Sequence, residues 1–234
     1  MNILITGASS GVGFEAVLEL LLSGKHKVKA LARSQDKLER LAAIAVGLSP
    51  DSVLYPIAFD IVHDDYADLQ QFIKTHFDNR IDVLINNAGV LVNKPFAQLQ
   101  ETDFVEMLQS NFIGHVRMIQ NMFGLMPEGS HIVNIGSMGG YQGSAKFVGL
   151  AAYSASKAAL HNLTECLAQE FLELGIKVNC LALGSAQTEM LEKAFPGYES
   201  PVMAFEMGKY IADFAMTGHR FFNGKVLPVA VTTP

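Results

Sequence analysis

ITGASSGVGFEAV (residues 5–17) leaves a short apolar run, NILIT (2–6), and opens the first helix, with Gly7, Gly11 and Gly13 in between. Glycine lets the chain turn tightly and lets backbone amides come close to a ligand. The helix N-terminus adds its partial positive charge, so this turn, which also holds Ser9, Ser10 and Val12, is a cradle for a pyrophosphate. Its spacing is Gly-x3-Gly-x-Gly rather than Gly-x-Gly-x2-Gly. The glycines alone would also fit a plain tight turn. Their place between the first strand and the first helix of a βαβ unit is what points to a dinucleotide.

Six more apolar runs follow: KVKALA (27–32), VLYPIAF (53–59), DVLIN (82–86), HIVNIG (131–136), KVNCLAL (177–183) and KVLPVAV (225–231). Most are near-continuous rather than alternating, which suits strands buried on both faces of a parallel sheet. Between them lie helical patterns. Phe104, Leu108, Phe112, Val116, Ile119 and Phe123 mark one; Leu160, Leu163, Leu167, Phe171 and Leu174 mark another, with Gly175 as its C-cap. The alternation implies right-handed crossovers and an α/β fold: a doubly wound, Rossmann-like parallel sheet of about seven strands with helices on both faces. Residues 1–234 are expected to form one domain.

Half of the residues are hydrophobic and 17% are charged, enough apolar material for a core and too little charge for disorder. A net charge of -6 and the lack of any Lys/Arg-rich run argue against a nucleic-acid partner. Cys166 and Cys180 fall inside predicted elements and are expected to be free, buried thiols in a reducing compartment. MNILITGASSG reaches glycine too early for a signal peptide, and no apolar segment approaches the roughly 20 residues of a membrane span. A soluble cytoplasmic protein without a membrane partner is expected.

An acidic residue about 20 positions beyond the glycines would hold a ribose 2′-hydroxyl. The second strand instead ends LARSQD (31–36), with Arg33 and Ser34 at that place. A guanidinium there pairs bidentately with a 2′-phosphate, so NADP(H) is expected over NAD(H). Asp36 falls slightly late and is expected to cap the next helix. Further on, AAYSASKAAL (151–160) sets Tyr153 and Lys157 one turn apart on one side of a helix. Alone, that pair reads first as a core tyrosine and a solvated lysine, because short motifs match by accident. Hydride delivery to a carbonyl, however, needs a proton at its oxygen. A phenol of pKa about 10 supplies it poorly at neutral pH, and an ammonium one turn away would pull that pKa down.

TGASSGVG (6–13), FDI (59–61), NNAG (86–89), Asn111 in SNFIG, Ser137 in NIGSMGG and YSASK (153–157) occur in an order and spacing that resemble the short-chain dehydrogenase/reductase family. The resemblance covers nearly the whole chain and is clearest from residue 1 to about 190. It implies an NADP(H)-dependent oxidoreductase that interconverts a carbonyl and a secondary alcohol. Tyr153 would be the acid/base and Lys157 would tune it and grip the nicotinamide ribose. Ser137 would stabilise the substrate oxygen, and Asn111 would orient Lys157 through a water. Gly7, Ser9, Ser10, Gly11, Val12 and Gly13 would hold the pyrophosphate, and Arg33 and Ser34 the 2′-phosphate. Asp60 would approach the adenine amino group beside Ile61, with Asn87, Ala88 and Gly89 closing the fourth strand. Ala186 and Thr188 would touch the nicotinamide amide and phosphate.

The chain departs from the family in three places. Ser137 and Tyr153 stand sixteen positions apart, about three more than usual, which lengthens the loop and makes Ser144 a rival for the serine role. Leu183 precedes Gly184 where the family has proline, so the loop near the nicotinamide lacks proline's fixed φ and is expected to be more mobile. The substrate-lid segment, about 188–216, is short. Its Met190, Met203, Met207, Phe195 and Phe205 are either an adaptable apolar pocket or ordinary core. No histidines stand at metal-ligand spacing, and His63, His115 and His161 are read as surface or satisfied core groups. In the family, helices corresponding to 101–126 and 152–174 pack against a partner's pair, so a homodimer or homotetramer is expected, acting on a small-molecule carbonyl or alcohol. Two rival functions stay open: a non-catalytic NADP(H)-binding sensor or scaffold, and an epimerase or dehydratase on the same scaffold.

Overall fold

The computed structural model describes residues 1–49 and 51–231. Its strands are β1 (Asn2–Thr6), β2 (Lys27–Ala32), β3 (Val53–Ala58), β4 (Val83–Asn86), β5 (His131–Ser137), β6 (Lys177–Leu183) and β7 (Val226–Val229). They form one parallel sheet in the order β3-β2-β1-β4-β5-β6-β7, and each coincides with one of the seven expected runs. The helices are α1 (Gly11–Leu22), α2 (Gln35–Ala45), α3 (Ala67–His76), α4 (Glu101–Leu108), α5 (Gly114–Met122), α6 (Ala151–Glu170), α7 (Glu189–Ala194) and α8 (Ala204–Thr217).

Because successive strand residues point to opposite faces, β1 feeds two cores at once. Ile3 and Ile5 pack with residues of α1, α2 and α8, while Leu4 packs with residues of α3, α5 and α6. Near-continuous apolar runs are therefore required in the middle of the sheet. The two edge strands differ from that expectation: β3 and β7 are only partly buried. Each carries a proline, Pro56 or Pro228, and an edge tolerates the missing amide donor.

The helix expected over 101–126 is divided. A π-helical turn, Gln109–Ile113, separates α4 from α5, and a 3-10 turn, Phe123–Leu125, follows. Its buried stripe is Met107, Asn111, His115, Met118 and Met122, whereas Leu108 and Phe123, on the stripe chosen by hydrophobicity, are exposed. The buried stripe carries two polar side chains, so apolar periodicity pointed to its neighbour. Similarly, α6 stops at Glu170 and the chain turns through Phe171 to Gly175, whose φ of 69° is left-handed. Cys180 is buried, but Cys166 lies on the exposed side of α6. Asp36 sits in the first turn of α2, and Ser34 occupies the cap position without a side-chain hydrogen bond.

Within the expected lid, α8 is a core helix. Met207, Ile211, Ala212, Phe214 and Ala215 are buried, and Gly208 lies so close to α1 that a Cβ would fall 2.4 Å from that of Glu15. Phe205 is exposed. Among the described residues no helix is long and apolar enough to cross a membrane, and no cluster of metal-ligating side chains occurs.

Candidate active site

The strand order reverses between β1 and β4, and the carboxyl ends of the strands open there into a cavity of about 1610 Å³. Ligands of open α/β sheets bind at such a switch point. Every site residue expected from the sequence lines this cavity except Asn111.

The glycine turn is built against the NNAG segment. Gly7 has a left-handed φ of 67°, and a Cβ there would fall 2.7 Å from the Ala88 Cα. At Gly13 a Cβ would meet the Asn87 Nδ2 at 2.2 Å and the Gly7 carbonyl at 2.5 Å. Asn87 donates through Nδ2 to the carbonyls of Thr6 and Gly7, each at 3.0 Å. The Thr6 hydroxyl accepts from the amides of Asn87 and Ala88, again at 3.0 Å each. Asn87 therefore braces the turn, a contact the motif alone did not reveal. Beyond it, α1 begins with no side-chain cap and no acidic residue in its first turn. Its first amides are left for an anion, and the residues present fit a dinucleotide pyrophosphate. Thr188 closes the turn from the far side, its Cγ2 3.3 Å from the point where a Gly11 Cβ would stand.

Arg33 and Ser34 follow β2 at the rim, with Arg33 exposed. Lys37, one turn into α2, also lines the cavity and pairs with Glu189 of α7 at 2.7 Å. On the neighbouring rim Asp60 accepts the Val62 amide at 2.8 Å through Oδ1, while its own amide donates to Asp64 at 2.8 Å. Ile61 is buried, and a Cβ on Gly114 would meet it at 2.7 Å, which keeps the Asp60 turn against α5.

At the other end β5 and α6 converge. Ser137 ends β5, and its Oγ accepts the Gly139 amide at 3.1 Å. Its backbone amide donates to His161 Nε2 at 3.3 Å. His161 is buried one turn beyond Lys157 and so close to β5 that a Cβ on Gly136 would stand 2.2 Å from its Nε2. It is a satisfied core histidine, as expected, and its partner is the backbone of the candidate oxygen-stabilising serine. His63 is exposed; His115 is fully buried, and neither of its ring nitrogens has a hydrogen-bond partner. Ser144 turns into its own loop, donating to Met138 at 2.6 Å and to Tyr141 at 2.9 Å, and does not line the cavity.

Lys157 is buried and donates to the Ile135 carbonyl at 2.8 Å. Burial lowers its pKa to about 8, with the neighbouring Cys180 acting in the opposite direction. Burial raises the Tyr153 phenol above its ordinary value, and its hydrogen bond with Ser137 opposes that rise. In the protein alone burial therefore outweighs any pull of Lys157 on Tyr153. The physical reason is distance: the ammonium lies 6.0 Å from the phenol ring centroid, held by Ile135. Asn111, in the π turn, donates to the Val90 carbonyl and to Ser156 Oγ, both at 3.0 Å, and accepts the Val90 amide at 2.8 Å. A Cβ on Gly89 would meet Asn111 Oδ1 at 2.9 Å and Lys157 Nζ at 3.5 Å, so the two side chains converge on that glycine.

Leu183 is a buried strand residue in register with Ser137 and Val229 rather than a loop residue. Gly184 then donates to Val229 at 2.8 Å, which anchors the chain where added mobility was expected. Ala186 is buried beside it. Of the apolar candidates in the lid, Met190 and Phe195 line the cavity, Met207 is core, and Met203 and Phe205 do not reach it.

Comparison with known proteins agrees with this arrangement. The family model described as short chain dehydrogenase matches residues 1–199. The chain belongs to the short-chain dehydrogenase/reductase family. Relatives of this short-chain dehydrogenase/reductase include a 3-oxoacyl-[acyl-carrier-protein] reductase of Synechocystis sp., 31% identical over 193 residues, covering 81% of this chain and 75% of that protein. A fatty acyl-CoA reductase of Acinetobacter baylyi is 32% identical over 193 residues, covering 80% of this chain; the match spans only 63% of that longer protein. Among solved structures, a short-chain dehydrogenase/reductase from Serratia marcescens superposes with a TM-score of 0.82 at 27% identity, covering 97% of this chain and 95% of that one. Levodione reductase shares the fold with a TM-score of 0.84 at 24% identity, covering 98% of this chain and 95% of its own.

Proposed function

We propose that this member of the family is an NADP(H)-dependent oxidoreductase that interconverts a carbonyl and a secondary alcohol. The observation that carries the reading is the convergence of Ser137, Tyr153 and Lys157 on the same cavity as the glycine turn. When bound, the nicotinamide supplies or accepts the hydride. Tyr153 gives the proton to the oxygen that gains charge, and Ser137 hydrogen-bonds that oxygen. Lys157 grips the nicotinamide ribose and, turned from the Ile135 carbonyl, brings its charge towards the phenol. Asn111 fixes the π turn and the Val90 segment beside Lys157, a positioning role in place of direct contact. Gly7, Gly11 and Gly13, with Ser9, Ser10 and Val12, take the pyrophosphate; Asp60, Ile61, Asn87, Ala88, Gly89, Ala186 and Thr188 complete the cofactor's walls.

Arg33 and Ser34 select the 2′-phosphate. Titration by fluorescence is expected to give clearly tighter binding of NADPH than of NADH. Arg33→Ala should weaken NADPH by about ten- to a hundredfold, the range for losing charge-assisted hydrogen bonds, and leave NADH unchanged. Equal affinities in the unaltered protein would remove the selectivity. Binding of neither nucleotide would remove the reductase reading itself.

The reading extends to a single catalytic domain over residues 1–234, working in the cytoplasm on a small molecule, with 188–203 as lid. It also includes a homodimer or homotetramer. Val105 and Leu108 of α4, Phe123 beyond α5, and Leu172 and Leu174 after α6 are exposed apolar side chains on the helices expected to meet a partner's. Light scattering coupled to size exclusion is expected to give two or four times 25.4 kDa, and Leu108→Glu to give the monomer mass.

A further inference from the structure

Three loops close over the catalytic end of the cavity. The Asn93 side chain, after β4, donates from Nδ2 to the Ala194 carbonyl at the end of α7, at 2.8 Å. Gly149, in the long loop between Ser137 and Tyr153, has a left-handed φ of 87° and lies where a Cβ would collide with Asn93 Oδ1 at 1.9 Å. Its carbonyl accepts the Lys94 amide at 3.0 Å. This junction sets Phe147, from the lengthened loop, against Phe195, from the lid, with ring centroids 6.5 Å apart at 60°.

Phe147 and Phe195 line the cavity together with Leu91, Leu150, Met190 and Tyr198. Phe147 is 53% exposed, Met190 45% and Tyr198 47%, a large apolar surface to leave in water at one mouth. Contiguous exposed apolar surface of this kind marks a binding site. No cation stands among these six residues; Lys146 and Lys193, their neighbours in the chain, do not line the cavity, and Lys146 donates to the Tyr141 carbonyl and to Ser144. The cationic side chains that do line the cavity are Arg33 and Lys37 at the β2 end, Arg117, which donates to the Val62 and Asp64 carbonyls, and Lys157, which is bound to Ile135.

From this we infer that the substrate is an uncharged, apolar ketone or aldehyde whose hydrocarbon part is held between Phe147 and Phe195 while its oxygen meets Ser137 and Tyr153. The inference rests on the reductase reading above and names its substrate class. A carboxylate or phosphate on the substrate would be desolvated against aromatic rings with no counter-charge, at a cost that no contact there returns. A longer alkyl chain instead displaces water from exposed rings.

The test is a series of methyl ketones from butanone to decanone, set against keto acids of matching length, with NADPH oxidation followed at neutral pH. NADPH affinity is measured separately by fluorescence, and binding of each ketone by calorimetry. The kcat/KM values and the ketone affinities are expected to rise about two- to fourfold per methylene, as burial of each one contributes. Keto acids should be at least tenfold poorer than their neutral counterparts. Phe147→Ala, at an exposed side chain that leaves the core intact, and Phe195→Ala should flatten the chain-length dependence without altering NADPH affinity. Keto acids turning over better than neutral ketones, or a chain-length dependence unchanged in both variants, would overturn the substrate class and leave the reductase intact. Tight NADPH binding with no turnover of either series would overturn the reductase reading and this inference with it.

Discussion

Tyr153→Phe is expected to lower kcat on the order of a thousandfold while the dissociation constant for NADPH changes by less than a factor of two. A positioned general acid contributes roughly 10² to 10⁴ in rate, and the phenol is the one hydroxyl that α6 presents to the cavity beside Ser137. The ring stays, so packing against Gly139, whose Cβ would lie 3.8 Å from the Tyr153 Cδ1, is preserved. Stopped-flow measurement of NADPH oxidation with a fluorescence titration alongside separates the two effects. Retained turnover would mean that Ser137 or water supplies the proton. Lost NADPH affinity would mean that the phenol is part of the cofactor site first and an acid second.

Between pH 6.5 and about 4 the protein is expected to lose most of its stability, through three buried imidazoles. Burial holds His131 and His161 down to about 4 and His115 to about 3; the Lys157 charge also lowers the latter two. The hydrogen bonds give the same answer for two of them. His131 Nδ1 faces the Ala215 carbonyl at 3.0 Å, so it carries the proton, and Nε2 accepts from Asn179 at 3.0 Å. His161 Nε2 accepts the Ser137 amide. A second proton on either ring breaks an accepted bond. Because the folded values lie below the unfolded value of about 6.5, the unfolded chain takes up protons first as pH falls. The stabilisation is complete above that pH and is lost down to the folded values. At roughly 1.4 kcal/mol for each pKa unit, His131 and His161 each contribute about 3 kcal/mol and His115 about 5, so the three together rival the whole stability of a typical domain. Urea midpoints at pH 7, 6 and 5 should fall steeply. His115→Leu should lessen the fall, since leucine takes up no proton in either state. A flat midpoint over that range would show that the imidazoles take up protons as readily in the folded protein as in the unfolded chain.

Much of the site was legible because its parts are local. The glycine turn is written in a few consecutive residues, and Tyr153 and Lys157 share a helical face at a spacing that any α-helix fixes. Three features were not legible. Ser137 is held by His161, yet only the i+4 step from Lys157 to His161 hinted that this ring faces the same strand. Asn87 is a cofactor-wall residue by its motif, and its amide also braces the glycine turn eighty residues away, which the motif did not show. Phe147 lay in a loop whose extra length was visible but whose direction was not, until Gly149 met Asn93.

The sequence by itself determined the seven strands, their parallel pairing around a dinucleotide turn, and the family to which the chain belongs, since period-two and period-3.6 patterns and fixed motif spacings are properties of neighbouring residues. The tertiary structure alone decided which stripe of residues 101–126 is buried, that β3 and β7 are half-exposed edges, that α8 is core rather than lid, and that Phe147 faces Phe195. Each of these depends on a surface contributed by a distant segment, and whether a side chain such as Asn111 or His115 is buried is settled by what packs over it rather than by its own polarity.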